Sequence, residues 1–460
     1  MTRFRNIAFI GNSLPRRCGI ATFTTDLQQA VSNSPARMGT AIVAMTDHGR
    51  AYDYPPSVWL EIPDERLDDY IRAAEALNAG RFDVVCLQHE FGIFGGEAGS
   101  HILTLLSRLD MPVVTTLHTV LAAPSPAQRK VLARIVESSA KIVVMAEKGR
   151  ALLREVYGVP AEKIEVIPHG IPDIAFSEPA IAKAKLGFEG RSVILTFGLL
   201  SPNKGVEVMI DAMPRILESR PDAVYVVLGA THPNLVLREG EAYRESLIAR
   251  VRDLGIEKHV VFLDQFVDQA TLLDFISMCD VYTTPYLNEA QMTSGTLAYS
   301  FGLGKAVVST PYWHACELLA GGRGILVPFG DAKAIGNEIA GLLTDDARRD
   351  AMRSHGRTLW ALGECARSDS DPSRRTWAAT LFSEALPTTE GFRSPRAWAF
   401  TLLGLDRYCE ASEEDVFAQR MRRLFADRLM DLLVRVETED WIWFEEGLSY
   451  DNARLTMRSA

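Results

Sequence analysis

The residues of this 460-residue chain best suited to chemistry sit where short apolar runs end. The stretch NEAQMTSGTLAYSFGLGKAVVSTP (288–311) follows an apolar run at 281–284. It opens with Thr293, Ser294, Gly295 and Thr296, and passes through an apolar helical segment to a second run at 306–309. A strand that feeds a turn of small residues at a helix start aims backbone N–H groups and the positive helix end at one spot, which suits an anion. The same residues also serve as a plain helix cap. Five further loops have comparable placement. GNSLPRRCGI (11–20) carries Arg16, Arg17 and Gly19, and reads either as a phosphate- or carboxylate-binding loop or as a glycine turn with solvated arginines. QHEFG (88–92) carries His89 and Glu90 past an apolar run, where the alternative is a capped turn. His118 follows the run 113–117, and His169 with Gly170 follows 164–167, as site or as hinge. A lone histidine is more often structural, but the end of a strand favours a site. FGLLSPNKG (197–205) places Lys204 at a helix start, where it can meet a diphosphate as a point charge. Neither GxGxxG nor GxxxxGK[ST] occurs in these loops, so neither a dinucleotide fingerprint nor a P-loop is indicated.

The elements that must position these residues form two series. Apolar runs at 7–10, 41–44, 84–87, 113–117, 142–145 and 164–167 alternate with amphipathic stretches such as 20–31 and 67–77. After the Pro- and Gly-containing segment 168–172 come runs at 193–197, 224–228, 260–263, 281–284, 306–309 and 325–327, with helical stretches such as 206–217 and 242–254. Continuous apolar strands separated by helices predict parallel sheets covered on both faces. Two consecutive doubly wound halves imply a ligand cleft at the carboxyl ends of the strands. From 354 onward no strand pattern is found, and Trp-, Leu- and Arg-rich helical stretches at 356–365, 374–385, 395–409 and 414–436 take over.

Composition narrows the class. An apolar fraction of 47% and a charged fraction of 23% fit a soluble globular chain of about three domains. A net charge of −10 argues against general nucleic-acid binding. The six cysteines lack CxxC or zinc spacing and fit reduced thiols of a cytoplasmic protein. The N-terminal MTRFRNIAFIGNS reads as a first strand rather than a signal peptide. No segment approaches the roughly 20 apolar residues of a membrane span.

Taken in order, FGLLSPNKG, VVLG, VVFLDQF, NEAQMTSGTLAYSFGLGKAVVSTP and GRGILVPFGD resemble the donor half of a retaining glycosyltransferase of family 4. SLPRRCGIATFT, LQHEFGIF, TTLHT and IPHGI agree in the first half, so the resemblance covers roughly residues 5 to 345. It implies the GT-B fold, two Rossmann-like halves, with no cofactor, no obligatory metal and a nucleotide sugar as substrate. It further implies that Gly19 lets its loop approach donor phosphates and acceptor, that His118 sits by the transferred sugar, and that Lys204 binds the diphosphate. Amides around Thr293, Ser294, Gly295 and Thr296 would assist, while Phe266 and Val267, in the segment 264–267, would border the base. Arg16, Arg17, His89 and Glu90 fall on the acceptor side. Two departures stand out. Leu199 in Gly198-Leu199-Leu200 replaces the usual arginine, and the paired glutamate positions hold Gln291 and Tyr299, which makes Glu289 the replacement carboxylate beside the donor sugar.

The tail segments SHGRTLWALGE, SPRAWAFTLLGL and WFEEGLSYDNARL resemble the later part of an α/α-toroid domain found in long bacterial members of that family. The expected organisation is an acceptor-side domain over 1–170, a donor domain over 171–352 and an incomplete helical toroid over 353–460, in a shortened relative whose tail favours self-association. The expected activity is hexose transfer, GDP-mannose first and UDP-glucose second, to a sugar or glycan hydroxyl. The alternative is a catalytically weak nucleotide-sugar-binding or scaffold protein, motivated by Gln291, Leu199 and the shortened tail.

Overall fold

The computed structural model describes residues 5–34, 38–172, 174, 179–320, 322–346, 349, 355–369, 371–391 and 395–436. The chain forms two compact units. The first comprises Met1–Ile171, Asn288–Ala298 and Tyr312–Glu317, and the second Pro172–Leu287, Tyr299–Pro311 and Leu318–Ala460. This grouping differs from the expected three-part division, because two short segments of the later sequence bond to the first unit. Met292 lies in its core with Phe91 and Leu117, and Glu317 accepts bonds from the amides of Glu147 and Lys148.

The first unit holds β1 (Asn6–Gly11), α1 (Gly19–Ser32), β2 (Gly39–Thr46), β3 (Val58–Pro63), α2 (Leu67–Ala79), β4 (Val84–His89), α3 (Ile102–Leu106), β5 (Val113–Leu117), α4 (Pro126–Ser138), β6 (Lys141–Val144), α5 (Glu147–Tyr157) and β7 (Ile164–Val166). All seven strands are parallel, in the order β3-β2-β1-β4-β5-β6-β7. Alternate side chains leave a strand on opposite faces. Ala8 and Ile10 of β1 therefore enter one core with Tyr70 and Leu77, while Ile7 and Phe9 enter another with Ile42 and Ala44. A sheet buried on both faces favours near-continuous apolar strands, and this is why most of these strands read as apolar runs. The exception is β3, which the sequence reading missed. It is an edge strand paired only to β2, with Trp59 45% exposed, so burial alternates along VWLEIP and Glu61 interrupts the apolar run.

The second unit begins with α6 (Pro179–Leu186), β8 (Ser192–Phe197), α7 (Val206–Leu217), β9 (Ala223–Leu228), α8 (Pro233–Glu239), α9 (Ala242–Asp253), β10 (Val260–Leu263), α10 (Gln269–Met278) and β11 (Val281–Thr284). In chain order there follow α11 (Gly295–Gly302), whose first turn is counted with the first unit, β12 (Ala306–Ser309), α12 (Trp313–Leu318), which is counted with the first unit up to Glu317, and β13 (Ile325–Leu326) and α13 (Ala332–Thr344) of the second. Its six parallel strands run β10-β9-β8-β11-β12-β13, the same reversing order as the first sheet. Tyr225 and Val227 of β9 pack with Met209 and Ile216 of α7 and with Ile339 and Leu342 of α13 in one core. Lys183 of α6 closes on Asp280 at 2.6 Å, and Asp280 also accepts the Val193 amide.

The tail is helical over His355–Ser368, Pro372–Ala385, Pro395–Ala411 and Val416–Val436, within a few residues of the predicted stretches. It has its own core, in which Phe382 stacks on Tyr408 with ring centroids 4.2 Å apart and Met421 and Phe425 are fully enclosed. The expected join at 353–354 and the WFEEGLSYDNARL segment lie outside the described residues. Among the described residues no helix is long and apolar enough to cross a membrane.

Candidate active site

In an open parallel sheet, loops diverge where the strand order reverses, and a crevice opens outside the strand ends. In the first unit this happens between β1 and β4. Gly11 ends β1, and a Cβ there would stand 2.9 Å from the Cβ of Gln88, so the glycine makes room for the Gln88 side chain on β4. Gln88 is fully buried, and its Oε1 accepts the Nε2–H of His118 at 3.1 Å. The His118 amide donates to the His89 carbonyl at 2.9 Å, which fixes the ring from behind. With Nε2 protonated, the neutral ring keeps an acceptor lone pair at Nδ1. His118 retains a partly open edge within dense surroundings. Burial, then the neighbouring His169 and His89, push its pKa down to about 3.

Phe23 of α1 packs edge-on against both His118 and His169, at 4.8 and 5.1 Å between centroids. His169 donates from Nδ1 to the Gly170 carbonyl at 2.7 Å, leaving Nε2 as the lone-pair nitrogen. That Nε2 lies 3.0 Å from where a Cβ on Gly295 would stand. The turn into α11 thus meets His169. Within it, Ser294 Oγ accepts the Leu297 amide at 3.3 Å and bonds the Thr296 hydroxyl at 3.1 Å, while the Ser294 amide donates to His314 Nδ1 at 2.9 Å. Thr293 Oγ1 is enclosed without a hydrogen-bond partner. Gln291 is turned inward, with Nε2 donating to the Thr293 carbonyl at 2.6 Å.

His314 escaped the sequence reading. It is buried, and burial followed by the nearby His169 lowers its pKa to about 4. The available signal was its position just past the apolar run 306–309, the rule that singled out His118. His118, His169, His314 and the turn 293–296 therefore gather in one unit, three neutral imidazoles around a helix start.

The other first-unit candidates are placed differently. Arg16 is bound through Nε and Nη2 to both oxygens of Asp47, at 2.8 and 2.7 Å, and this pairing holds the Asp47 carboxyl below the usual range. Arg17 is exposed. A Cβ at Gly19 would meet nothing within 4 Å, so the space before α1 is open, and the preceding Cys18 caps the helix through Sγ. His89, expected on the acceptor side, is placed in the interior. It is wholly buried beside Phe91 and Phe94, its ring nitrogens lack partners, and burial pushes its pKa to about 3. Glu90 caps the following turn by accepting the Gly92 amide at 2.7 Å. Glu289 is exposed, and its carbonyl accepts the Trp313 amide at 3.0 Å. It lines a cavity of about 1140 Å³ together with Lys148, Arg154, Trp313, Cys316 and Glu317.

In the second unit the reversal falls between β8 and β11. Lys204 ends the β8 loop with Nζ 3.9 Å from the centre of the Tyr286 ring, past β11. Gly205 follows with φ +63°, and a Cβ there would stand 2.0 Å from the Pro285 carbonyl oxygen, so the residue must be glycine both for conformation and for space. The Leu287 amide ties the two loops by donating to the Asn203 carbonyl at 2.9 Å. Leu199, in the position of the missing arginine, is half-buried and brings no charge. Phe266 and Val267 are half-buried past β10, where Asp264 pairs with the buried Arg244 at 2.9 Å, and Tyr299 is buried in α11.

Two reversing parallel α/β sheets in one chain have the architecture of the GT-B fold. Residues 178–359 match the model of glycosyl transferases group 1, and residues 24–173 match that of glycosyltransferase family 4. The chain belongs to the group 1, family 4 glycosyltransferases. It is 29% identical over 310 residues to a D-inositol 3-phosphate glycosyltransferase of Kineococcus radiotolerans, covering 61% of this chain and 68% of the relative. It is 27% identical over 250 residues to a GDP-mannose-dependent alpha-(1-6)-phosphatidylinositol monomannoside mannosyltransferase of Mycolicibacterium smegmatis, covering 52% and 61%. The chain thus spans about three fifths to two thirds of the length of these curated relatives. Among solved structures, Anabaena HepE in complex with UDP and glucose superposes with a TM-score of 0.60 at 15% identity, over 84% of this chain and 100% of that one.

Proposed function

We propose that the protein is a retaining, metal-independent hexosyltransferase that moves mannose or glucose from a nucleoside diphosphate sugar to a sugar or glycan hydroxyl. The observation that carries this reading is the partly open turn at Thr293, Ser294, Gly295 and Thr296 facing His169, in the same unit as a His118 whose Nδ1 lone pair can take a sugar hydroxyl. Lys204 and the amides of that turn hold the departing diphosphate. His118 and Glu289 stabilise the positive charge that develops on the sugar ring. The bond from the anomeric carbon to phosphate oxygen breaks, the acceptor oxygen bonds to the same face, and the acceptor proton passes to the leaving phosphate. No protein base is required in this scheme. Gly19, Tyr299, Phe266 and Val267 complete the donor side, with Arg17 and Glu90 toward the acceptor.

GDP-mannose is the first donor proposed, in keeping with the mycobacterial relative, and UDP-glucose the second. A cytoplasmic setting fits the six free thiols. The exposed Trp377, Val416 and Val434 of the tail are proposed to mediate self-association, which sedimentation tests directly. The three-part domain division stays a proposal, tested by limited proteolysis. A nucleotide-sugar panel, read by product analysis and thermal shift, tests the function. Transfer or hydrolysis of one donor supports it, and neither turnover nor stabilisation by any donor refutes it. The second reading, a binding protein of low turnover, is favoured by Gln291, whose amide is already engaged by the Thr293 carbonyl. Donor binding without turnover would select it.

A further inference from the structure

We infer that His314 is a positioning residue for the donor, one that takes up the Ser294 amide at its Nδ1 and so orients the α11 turn with the Gly295 amide left for the donor's diphosphate. The inference rests on the proposed transferase reading and names a part of the site that this reading does not include.

The α11 turn has few amides to offer. Leu297 N–H is taken by Ser294 Oγ at 3.3 Å, and Ser294 N–H by His314 at 2.9 Å. Gly295, the first helical residue, has no intrahelical acceptor for its N–H. His314 is only 4% exposed, so the bond to Ser294 is shielded from water, and losing it would leave a buried amide unsatisfied. A nitrogen that accepts an N–H bond carries no proton, so the neutral His314 ring holds its proton on Nε2. The ring is itself anchored, because its amide donates to the Gln291 carbonyl at 3.2 Å and the Trp313 amide donates to the Glu289 carbonyl at 3.0 Å. Three residues on, Glu317 grips the start of α5 through the amides of Glu147 and Lys148, at 2.7 and 3.2 Å. The segment 312–317 is therefore a clamp that joins α5 to the turn 289–294, and His314 is its contact with the helix start. Thr293 Oγ1, at the entrance of the same turn, is enclosed and has no hydrogen-bond partner. A turn with an enclosed unpartnered hydroxyl and an amide the helix does not use is arranged for a ligand's oxygens.

The test compares His314→Leu and His314→Asn in the full chain. Asn can present its Oδ1 where Nδ1 stands, and Leu has no acceptor. H314L should raise the donor KM and the Kd for GDP or UDP about tenfold, with a smaller change in kcat, and H314N should restore most of that loss. A folded H314L with unchanged donor KM and nucleotide affinity, or an H314N as weak as H314L, overturns the inference. Imidazole nitrogen NMR of the wild type supplies a readout independent of activity and of the folding of H314L. An unprotonated Nδ1 with protonated Nε2 supports the inference, and a protonated Nδ1 overturns it. If the wild type binds neither nucleotide nor nucleotide sugar, the transferase reading itself fails, whatever the tautomer.

Discussion

Acidification should unfold the first unit through its buried histidines. His89, His118 and His314 are held at about 3, about 3 and about 4 by burial, against an ordinary 6.5. Their folded forms refuse protons that the unfolded chain accepts. For a base depressed in this way the stabilising contribution is complete above 6.5 and is lost as pH falls from there toward the folded value. At about pH 5 each histidine has traversed about 1.5 pH units of that window, a loss of about 2 kcal/mol per group. Three groups together lose about 6 kcal/mol, comparable to the whole stability of a typical domain. Urea unfolding followed by tryptophan fluorescence between about pH 7.5 and 5 should show the midpoint falling steeply below about pH 6.5, with proton uptake approaching three per molecule. His89→Leu removes one of these groups and two unpartnered nitrogens at once. It should fold at neutral pH and lower the proton uptake by about one. A midpoint that stays flat down to about pH 5.5, or an H89L variant with wild-type proton uptake, would refute the reasoning.

Gln88→Leu removes the acceptor of His118 Nε2–H, so kcat for sugar transfer should fall about tenfold while far-UV circular dichroism is unchanged. Lys204→Ala should weaken GDP or UDP binding about 10- to 100-fold and flatten its salt dependence, measured by titration calorimetry. Gly205→Ala forces a Cβ to 2.0 Å from the Pro285 oxygen at a positive φ. It should cost about 2–4 kcal/mol in the second unit's unfolding transition and disturb the Lys204 loop, read by thermal unfolding with and without nucleotide.

Most of the framework was legible in residue order. Strands buried on both faces carry near-continuous apolar runs, and β1, β4, β8, β9 and β12 show them. The edge strand β3 is half exposed and paired on one side, so Glu61 is tolerated within VWLEIP and breaks its apolar run. The strand-end rule found Lys204, His118 and the Thr293 turn because a doubly wound sheet directs those loops to one end. Residue type alone could not separate His89, enclosed by Phe91 and Phe94, from His118 two loops away, because both follow apolar strands. Nor could it show that Arg16 is committed to Asp47, 31 residues along the chain.

The turn read first, at 293–296, sharpens this contrast. Its small hydroxyl residues before a helix made it an anion-binding candidate by local chemistry, since any helix start leaves amides without partners. Which amides remain to be used is a matter of long-range packing. Ser294 N–H is consumed by His314, 20 residues later, and His169 is brought to Gly295 from 126 residues earlier. Periodicity and strand-end placement report where a loop emerges, because those depend on neighbouring residues. The partner of a buried donor depends on which distant side chain the folded sheet carries to it.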